Sequence, residues 1–357
     1  MAEISNRATC NSSTGFAFDD PREKRPRVFC CNPIVGLLKY DLKPFLWDVD
    51  MNRREFLGAA AVTVAAGTVV AEPRQQAIVD THQHLWDLTK FRLPWITKDS
   101  PLNRSYLTSD YAKATVGLNV VKAVYMEVDV EESQQQAEAD YLIELCKSAK
   151  TPTVAAVVSG RPASAKFKEY VTPFRDSKYI KGIRQVLHGE GTPAGYCLSK
   201  NFVAGIRLLG ELGLSFDLCM RSSELPDATK LIDECPHTRF ILDHCGNESV
   251  QKKDHTQWQK DIAELAQRKN VVGKISGIVA SAKPDRWTAD DLAPVINHTL
   301  SVFGPDRVMF GGDWPVCTLA ATYKQWVDAL KSIVQNRPAE EQQKLFHDNA
   351  VKFYGLK

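Results

Sequence analysis

From Ala77 onward the chain repeats one pattern: a short apolar run bounded by turn residues, then a longer amphipathic stretch. Strands are predicted at Ala77–Thr81, Lys122–Glu127, Val154–Val158, Ile180–Arg184, Leu214–Leu218, Arg239–Asp243, Val271–Ile275 and Val308–Phe310. Helical periodicity fills the gaps at Ser133–Ala149, Asn201–Leu212, Leu225–Cys235, Gln257–Lys269, Asp290–Val302 and Thr322–Val334. Strictly alternating strands and helices build a parallel sheet, because a parallel partner is reached only through a crossover. Eight such units over roughly 280 residues match the size of a (β/α)8 TIM barrel. An open doubly wound sheet is the competing α/β arrangement, but it carries a glycine-rich phosphate turn after its first strand. Here that place holds Thr81-His82-Gln83-His84.

Barrels place their chemistry at the C-terminal ends of their strands. Strand one ends in Val79-Asp80-Thr81-His82-Gln83-His84, and a period of two would send both imidazoles into the barrel mouth. An isolated His-x-His is weak evidence, but two other strand ends strengthen it. Strand six runs into Asp243-His244-Cys245-Gly246, and strand eight into Gly311-Gly312-Asp313-Trp314-Pro315. Three imidazoles and a carboxylate on one face suit a general base with polarising partners, or a metal site. Arg184 and Lys274 sit at inward-capable strand ends and could hold a substrate carboxylate or hydroxyls. An internal ion pair with Glu127, Asp129 or Asp217 is the alternative. Trp86, Trp314 and His188 adjoin the motif residues or the long loop after strand four, and are candidates for the pocket wall. Core packing for the tryptophans and an exposed loop position for His188 compete with that reading.

VDTHQHLWD (79–87), ILDHCGN (241–247), KISG (274–277) and FGGDWPV (310–316), with the closing NAVKFYGL (349–356), resemble the amidohydrolase superfamily. The resemblance is to its amidohydrolase-related branch, which includes lactonases of sugar acids and of pyrone dicarboxylate. It implies a hydrolase opening a small lactone by water attack, with Asp313 as general base and His82, His84 and His244 polarising the carbonyl. Binuclear members add a histidine on strand five. Strand five here reads Leu214-Ser215-Phe216-Asp217-Leu218-Cys219 and has none, and the direction of Lys181 on strand four is open. The resemblance therefore implies no required cofactor. The alternative is one divalent metal, zinc or manganese, on His82, His84, His244 and Asp313. A metal-dependent decarboxylase of the same superfamily and a non-catalytic exported sugar-binding barrel are the rival readings.

Before the barrel stands Met51-Asn52-Arg53-Arg54-Glu55-Phe56-Leu57, then an apolar run from Ala59 to Val70. Twin arginines before a modest apolar stretch resemble a twin-arginine export signal. Residues 51–71 are expected to be that signal, 1–50 a spurious N-terminal extension, and 72–357 the barrel. The protein would then be exported to the periplasm, or stay cytoplasmic if the signal is unused. The run is too short for a stable membrane anchor. Lys+Arg 45 against Asp+Glu 43 gives no electrostatic case for a nucleic-acid partner. The expected partner is a small-molecule lactone, with room for a homo-oligomer. Nine scattered cysteines without a CxxC pair read as free thiols.

Overall fold

The computed structural model describes residues 75–357. The expected extension and export signal lie outside the described residues. Eight parallel strands, in sequence order, form one nearly closed barrel. They are β1 (Ile78–Gln83), β2 (Val120–Met126), β3 (Thr153–Ser159), β4 (Ile180–Val186), β5 (Ser215–Cys219), β6 (Arg239–Leu242), β7 (Val271–Ile275) and β8 (Val308–Phe310). The predicted (β/α)8 TIM barrel is the observed fold. Each expected strand is present within a few residues, and the six expected helices form at Gln135–Ser148, Lys200–Glu211, Leu225–Glu234, Thr256–Leu265, Ala289–Phe303 and Tyr323–Val334. No described helix is long and apolar enough to cross a membrane. The six described cysteines are buried and unpaired, as expected.

The barrel interior changes character along its axis. At the N-terminal end it is apolar: Val79, Val124, Met126, Ala155, Val157 and Met309 pack together and are plugged by Ala350 and Tyr354 from the C-terminal helix Asn349–Tyr354 and by Leu356 just after it. Higher up, β4, β5 and β7 bring in Arg184, Asp217 and Lys274, all buried. An outer apolar shell joins strands to helices.

The seam between β8 and β1 closes at the catalytic face. There the Asp313 amide donates to His82 O (2.8 Å) and the His84 amide to Trp314 O (2.8 Å). Thr81 Oγ1 donates to Phe310 O (2.6 Å). Asp80 reinforces the seam: its Oδ1 accepts from the amides of His82 (2.9 Å) and Gly312 (2.7 Å). Its Oδ2 accepts from the hydroxyls of Tyr111 (2.8 Å) and Tyr323 (3.0 Å). Four donors offset the burial of this carboxylate, and they fix the strand ends that carry His82 and Asp313.

Candidate active site

β1 does not keep the simple alternation. Its register against β2 shifts between Asp80 and Gln83. Val79 faces the barrel interior, and so does His82 three residues on, where strict alternation would have turned it outward. His84 lies just beyond the strand. β6 ends one residue before Asp243, and His244 and Cys245 then adopt left-handed backbone angles, with φ of 51° and 52°. Asp313 has φ of 52°. A non-glycine residue there costs on the order of 1 kcal/mol and persists only when its surroundings impose it.

Two glycines make room for these side chains. A Cβ on Gly277 would collide with the His244 ring at Nδ1, so the strand-seven KISG ends in the one residue that lets that ring sit there. A Cβ on Gly311 would come 2.7 Å from His82 Cβ and 2.9 Å from Ser276 Cβ.

Asp313 Oδ1 stands 3.3 Å from His84 Nε2 and 3.6 Å from His82 Nε2. The His82 ring lies 4.8 Å from that of His84 and 4.5 Å from that of His244, centroid to centroid. The four expected residues are thus brought together. His84 Nδ1 is 2.9 Å from Met126 O, a carbonyl that can only accept, so Nδ1 carries a proton and Nε2 faces Asp313. A nitrogen and a carboxylate oxygen at 3.3 Å attract only with a proton on Nε2 or a cation between them. His244 Nδ1 pairs with Ser276 Oγ at 2.9 Å.

A cavity of 440 Å³ opens over this cluster, bordered by His84, His244 and Asp313 and walled by Trp95, Val128, Asp129, Arg184, His188, Cys219, Asn247 and Ser281. His82 differs from the expectation that it would face substrate: it lies one layer down, fully buried and outside the lining. Its Nε2 is 3.2 Å from Arg184 Nη1, and its Nδ1 is 3.4 Å from Lys274 Nζ and 3.6 Å from Asp243 Oδ1. Burial lowers its pKa well below the usual imidazole value, with the Lys274 and His244 charges adding to that and Asp243 opposing it. Burial also works to lower His244, but the Asp313 carboxylate and a hydrogen bond to Cys219 outweigh it and leave its pKa raised.

Lys274 has no exposed surface and is bound to Asp217 Oδ2 (2.7 Å) and Asp243 Oδ1 (2.8 Å). It takes the internal ion-pair role rather than reaching a substrate. Burial alone would raise Asp243, but Lys274 and His82 hold its carboxyl well below the usual range. Arg184 reaches the lining, yet its charge is already paired: Nε donates to Glu127 Oε1 (2.7 Å), Nη2 to Glu127 O (2.7 Å), and Nη1 stands beside His82 Nε2 (3.2 Å) and Asp243 Oδ2 (3.5 Å). Trp86 and Trp314 are buried and do not line the cavity; they pack edge-to-face against Tyr106. The wall aromatic is Trp95, half exposed, whose Nε1 donates to Val128 O (2.8 Å). His188 does line the cavity while staying exposed on one side, and partial desolvation, with Arg184 and Arg221 nearby, lowers its pKa.

The donor set fits one divalent ion. His82, His244 and Asp313 each offer an atom, all within 4.8 Å of one another. Among the described residues the other such group, Cys219, Asp243 and His244, shares His244 with the first, and its Asp243 is held by Lys274. Arg184 Nη1, beside His82 Nε2, is a cation competing for the first set.

A (β/α)8 barrel that gathers two imidazoles and a carboxylate on a cavity at its C-terminal face has the groups for acid–base or metal-assisted chemistry. The amidohydrolase family model matches residues 79–356, and the chain belongs to that family. It is 30% identical to an L-fucono-1,5-lactonase of Burkholderia multivorans, over 78% of this chain and 96% of that one. It is 21% identical to an L-rhamnono-gamma-lactonase of Scheffersomyces stipitis, over 78% and 98%. A crystal structure of an amidohydrolase from Burkholderia multivorans with bound zinc superposes with a TM-score of 0.71 at 26% identity, covering 79% of this chain and all of that one. The chain is a hydrolase.

Proposed function

We propose that the cavity hydrolyses an uncharged sugar-acid lactone without requiring a metal. One observation carries the choice of an uncharged ring. The cavity that gathers Asp313, His84 and His244 is lined, among the described residues, by a single guanidinium, and Glu127, His82 and Asp243 occupy it. A pyrone dicarboxylate would bring two carboxylates to a surface whose one guanidinium is already ion-paired to Glu127 and Asp243. A neutral polyhydroxylated ring asks only for hydrogen-bonding groups and an apolar face, which Asp129, Asn247, Ser281 and Trp95 supply.

Asp313 accepts a proton from water as the oxygen attacks the lactone carbonyl carbon. His84 and His244, with Nε2 protonated, donate to the carbonyl oxygen and steady the negative charge growing on it. The ring C–O bond then breaks, and the proton held by Asp313 passes to the departing ring oxygen, giving a hydroxy acid. Arg184, Lys274, Asp217 and Asp243 fix His82 beneath this centre. A divalent ion held by His82, His244 and Asp313 would supply Lewis-acid polarisation of the carbonyl.

The test is a panel of fucono-, rhamnono- and galactono-lactones and 2-pyrone-4,6-dicarboxylate, with metal content measured on the same chelated sample. Hydrolysis of a sugar lactone should survive chelation, and Asp313→Asn should lose about 10²–10⁴ in kcat. Stoichiometric metal whose removal abolishes turnover and whose return restores it would overturn the metal-free part. A preference for the dicarboxylate would overturn the substrate part.

A further inference from the structure

Asp129 follows β2 and has φ of 49°, in the left-handed region. Its amide is tied to Glu127 Oε2 (2.7 Å), which aims the side chain into the cavity wall. Oδ1 accepts from Arg161 Nη2 at 2.8 Å. Arg161 is fixed in turn by Ser159 Oγ (3.1 Å) and Gly160 O (3.2 Å), and is not among the lining residues. No described donor is hydrogen-bonded to Oδ2. The lining therefore carries two carboxylates, Asp129 and Asp313; Arg161 pairs with Oδ1 of the first and leaves its Oδ2 open, and Arg184 is ion-paired to Glu127 and Asp243. Of the lining imidazoles, His188 has a lowered pKa, and His244, raised by Asp313 against the effect of burial, offsets that carboxylate.

We propose that Asp129 is a specificity-determining charge filter. Its open oxygen accepts a ring hydroxyl of an uncharged polyhydroxylated lactone and repels a ligand carboxylate at the same place. This rests on the lactone reading above and adds to it the residue that enforces neutrality. The physical basis is simple. A hydroxyl gains a charge-assisted hydrogen bond from the carboxylate, whereas two like charges in a partly desolvated wall repel strongly.

Asp129→Asn is the informative change, because asparagine tolerates the left-handed backbone and keeps one acceptor. It removes the negative charge and leaves Arg161 unpaired beside the cavity. The substrates are an aldonolactone and an aldarolactone with the same ring plus a free carboxylate. For each, kcat/KM is measured, together with Kd by calorimetry in an Asp313→Asn background. The parent should favour the neutral ring by about 100-fold. Asp129→Asn should lose about 10-fold on the neutral ring, chiefly in KM, and narrow the preference by at least as much. A merely structural defect would weaken both ligands alike and leave the ratio unmoved. An unchanged ratio, or a parent that binds the carboxylate as well as the neutral ring, overturns the filter. Binding that keeps the predicted ratio without hydrolysis of either ring overturns the lactone reading alone.

Discussion

Beneath Asp313 charged side chains neutralise one another, while in the wall around it polar groups are left open. The lower layer consists of His82, Arg184, Asp217, Asp243 and Lys274, with Glu127 at its edge, all of them buried. The wall consists of Trp95, Asp129, His188, Asn247 and Ser281, each of them partly exposed. The lower layer comes from strands and strand ends, the wall mostly from the loops that follow them. A buried ion network is rigid because removing any partner strands an uncompensated charge. A half-open wall can exchange one ligand hydroxyl for water at little cost. The contrast implies that the reaction is fixed by the barrel and the choice of substrate by its loops.

Emptying the lower layer should have the largest effect. Lys274→Met leaves Asp217 and Asp243 buried without their ammonium. Losing one partner of a buried ion pair costs about 3–5 kcal/mol. The midpoint of chemical denaturation should fall accordingly, and Lys274→Met with Asp217→Leu should recover part of the loss. A single variant as stable as the parent would show that the layer is solvated and that the contrast with the wall is false.

At the layer's periphery the rule has an exception. Glu138, on the helix Gln135–Ser148, is buried; its Oε1 accepts from the Val128 amide (3.0 Å) and Tyr125 Oη (3.2 Å), and its Oε2 has no described partner. Burial, with Glu127 nearby, pushes its carboxyl up to about 8. The folded protein then keeps a proton that the unfolded chain gives up near its ordinary value of 4.5. Stability from this group is full below that value and is lost as pH rises through about 8. Glu138→Gln mimics the protonated form. It should be neutral at pH 4.5 and stabilising at alkaline pH, by about 1–3 kcal/mol, the usual desolvation cost of an unsatisfied buried group. Denaturation at the two pH values decides it, and equal effects at both would refute the assignment.

The two layers also differ in how far the sequence discloses them. The strand count, the helices between them, and the positions of His84, His244 and Asp313 all follow from periodicity and from motifs at strand ends. His82 was legible as a residue but not as to layer, because the register shift in β1 depends on its pairing with β2 and leaves no mark in the local pattern. Lys274 and Arg184 could be read as ligand-binding or as ion-paired, and only their distances to Asp217, Asp243 and Glu127 separate the two. Asp80 carried a usable signal, a carboxylate inside an otherwise apolar strand, which must find donors if buried. Trp95, in the long connection after strand one, reads as part of a lid or substrate wall, whereas Asp129 reads only as an ion-pair partner and not as a wall residue. Loop residues reach the wall through tertiary contacts that neither period nor composition encodes.

Trp95 should give the smallest effect and the cleanest separation of wall from lower layer. It is 40% exposed at the cavity rim, meets Trp86 edge-to-face at 5.7 Å, and is anchored by its Nε1 on Val128 O at 2.8 Å. A ring in that position can cover the apolar face of a sugar lactone equally before and during attack, since the reacting carbonyl must lie over Asp313. Contacts of equal strength in both states change KM and leave kcat alone. Trp95→Ala should therefore raise KM by about 5- to 10-fold, the worth of roughly 1 kcal/mol of aromatic contact, with kcat within about two-fold of the parent. Folding should be little affected, because the side chain buries only part of its surface. A fall in kcat with KM unchanged would place Trp95 against the reacting atoms, and the division between a fixed reaction centre and a selective wall would then have to be drawn elsewhere.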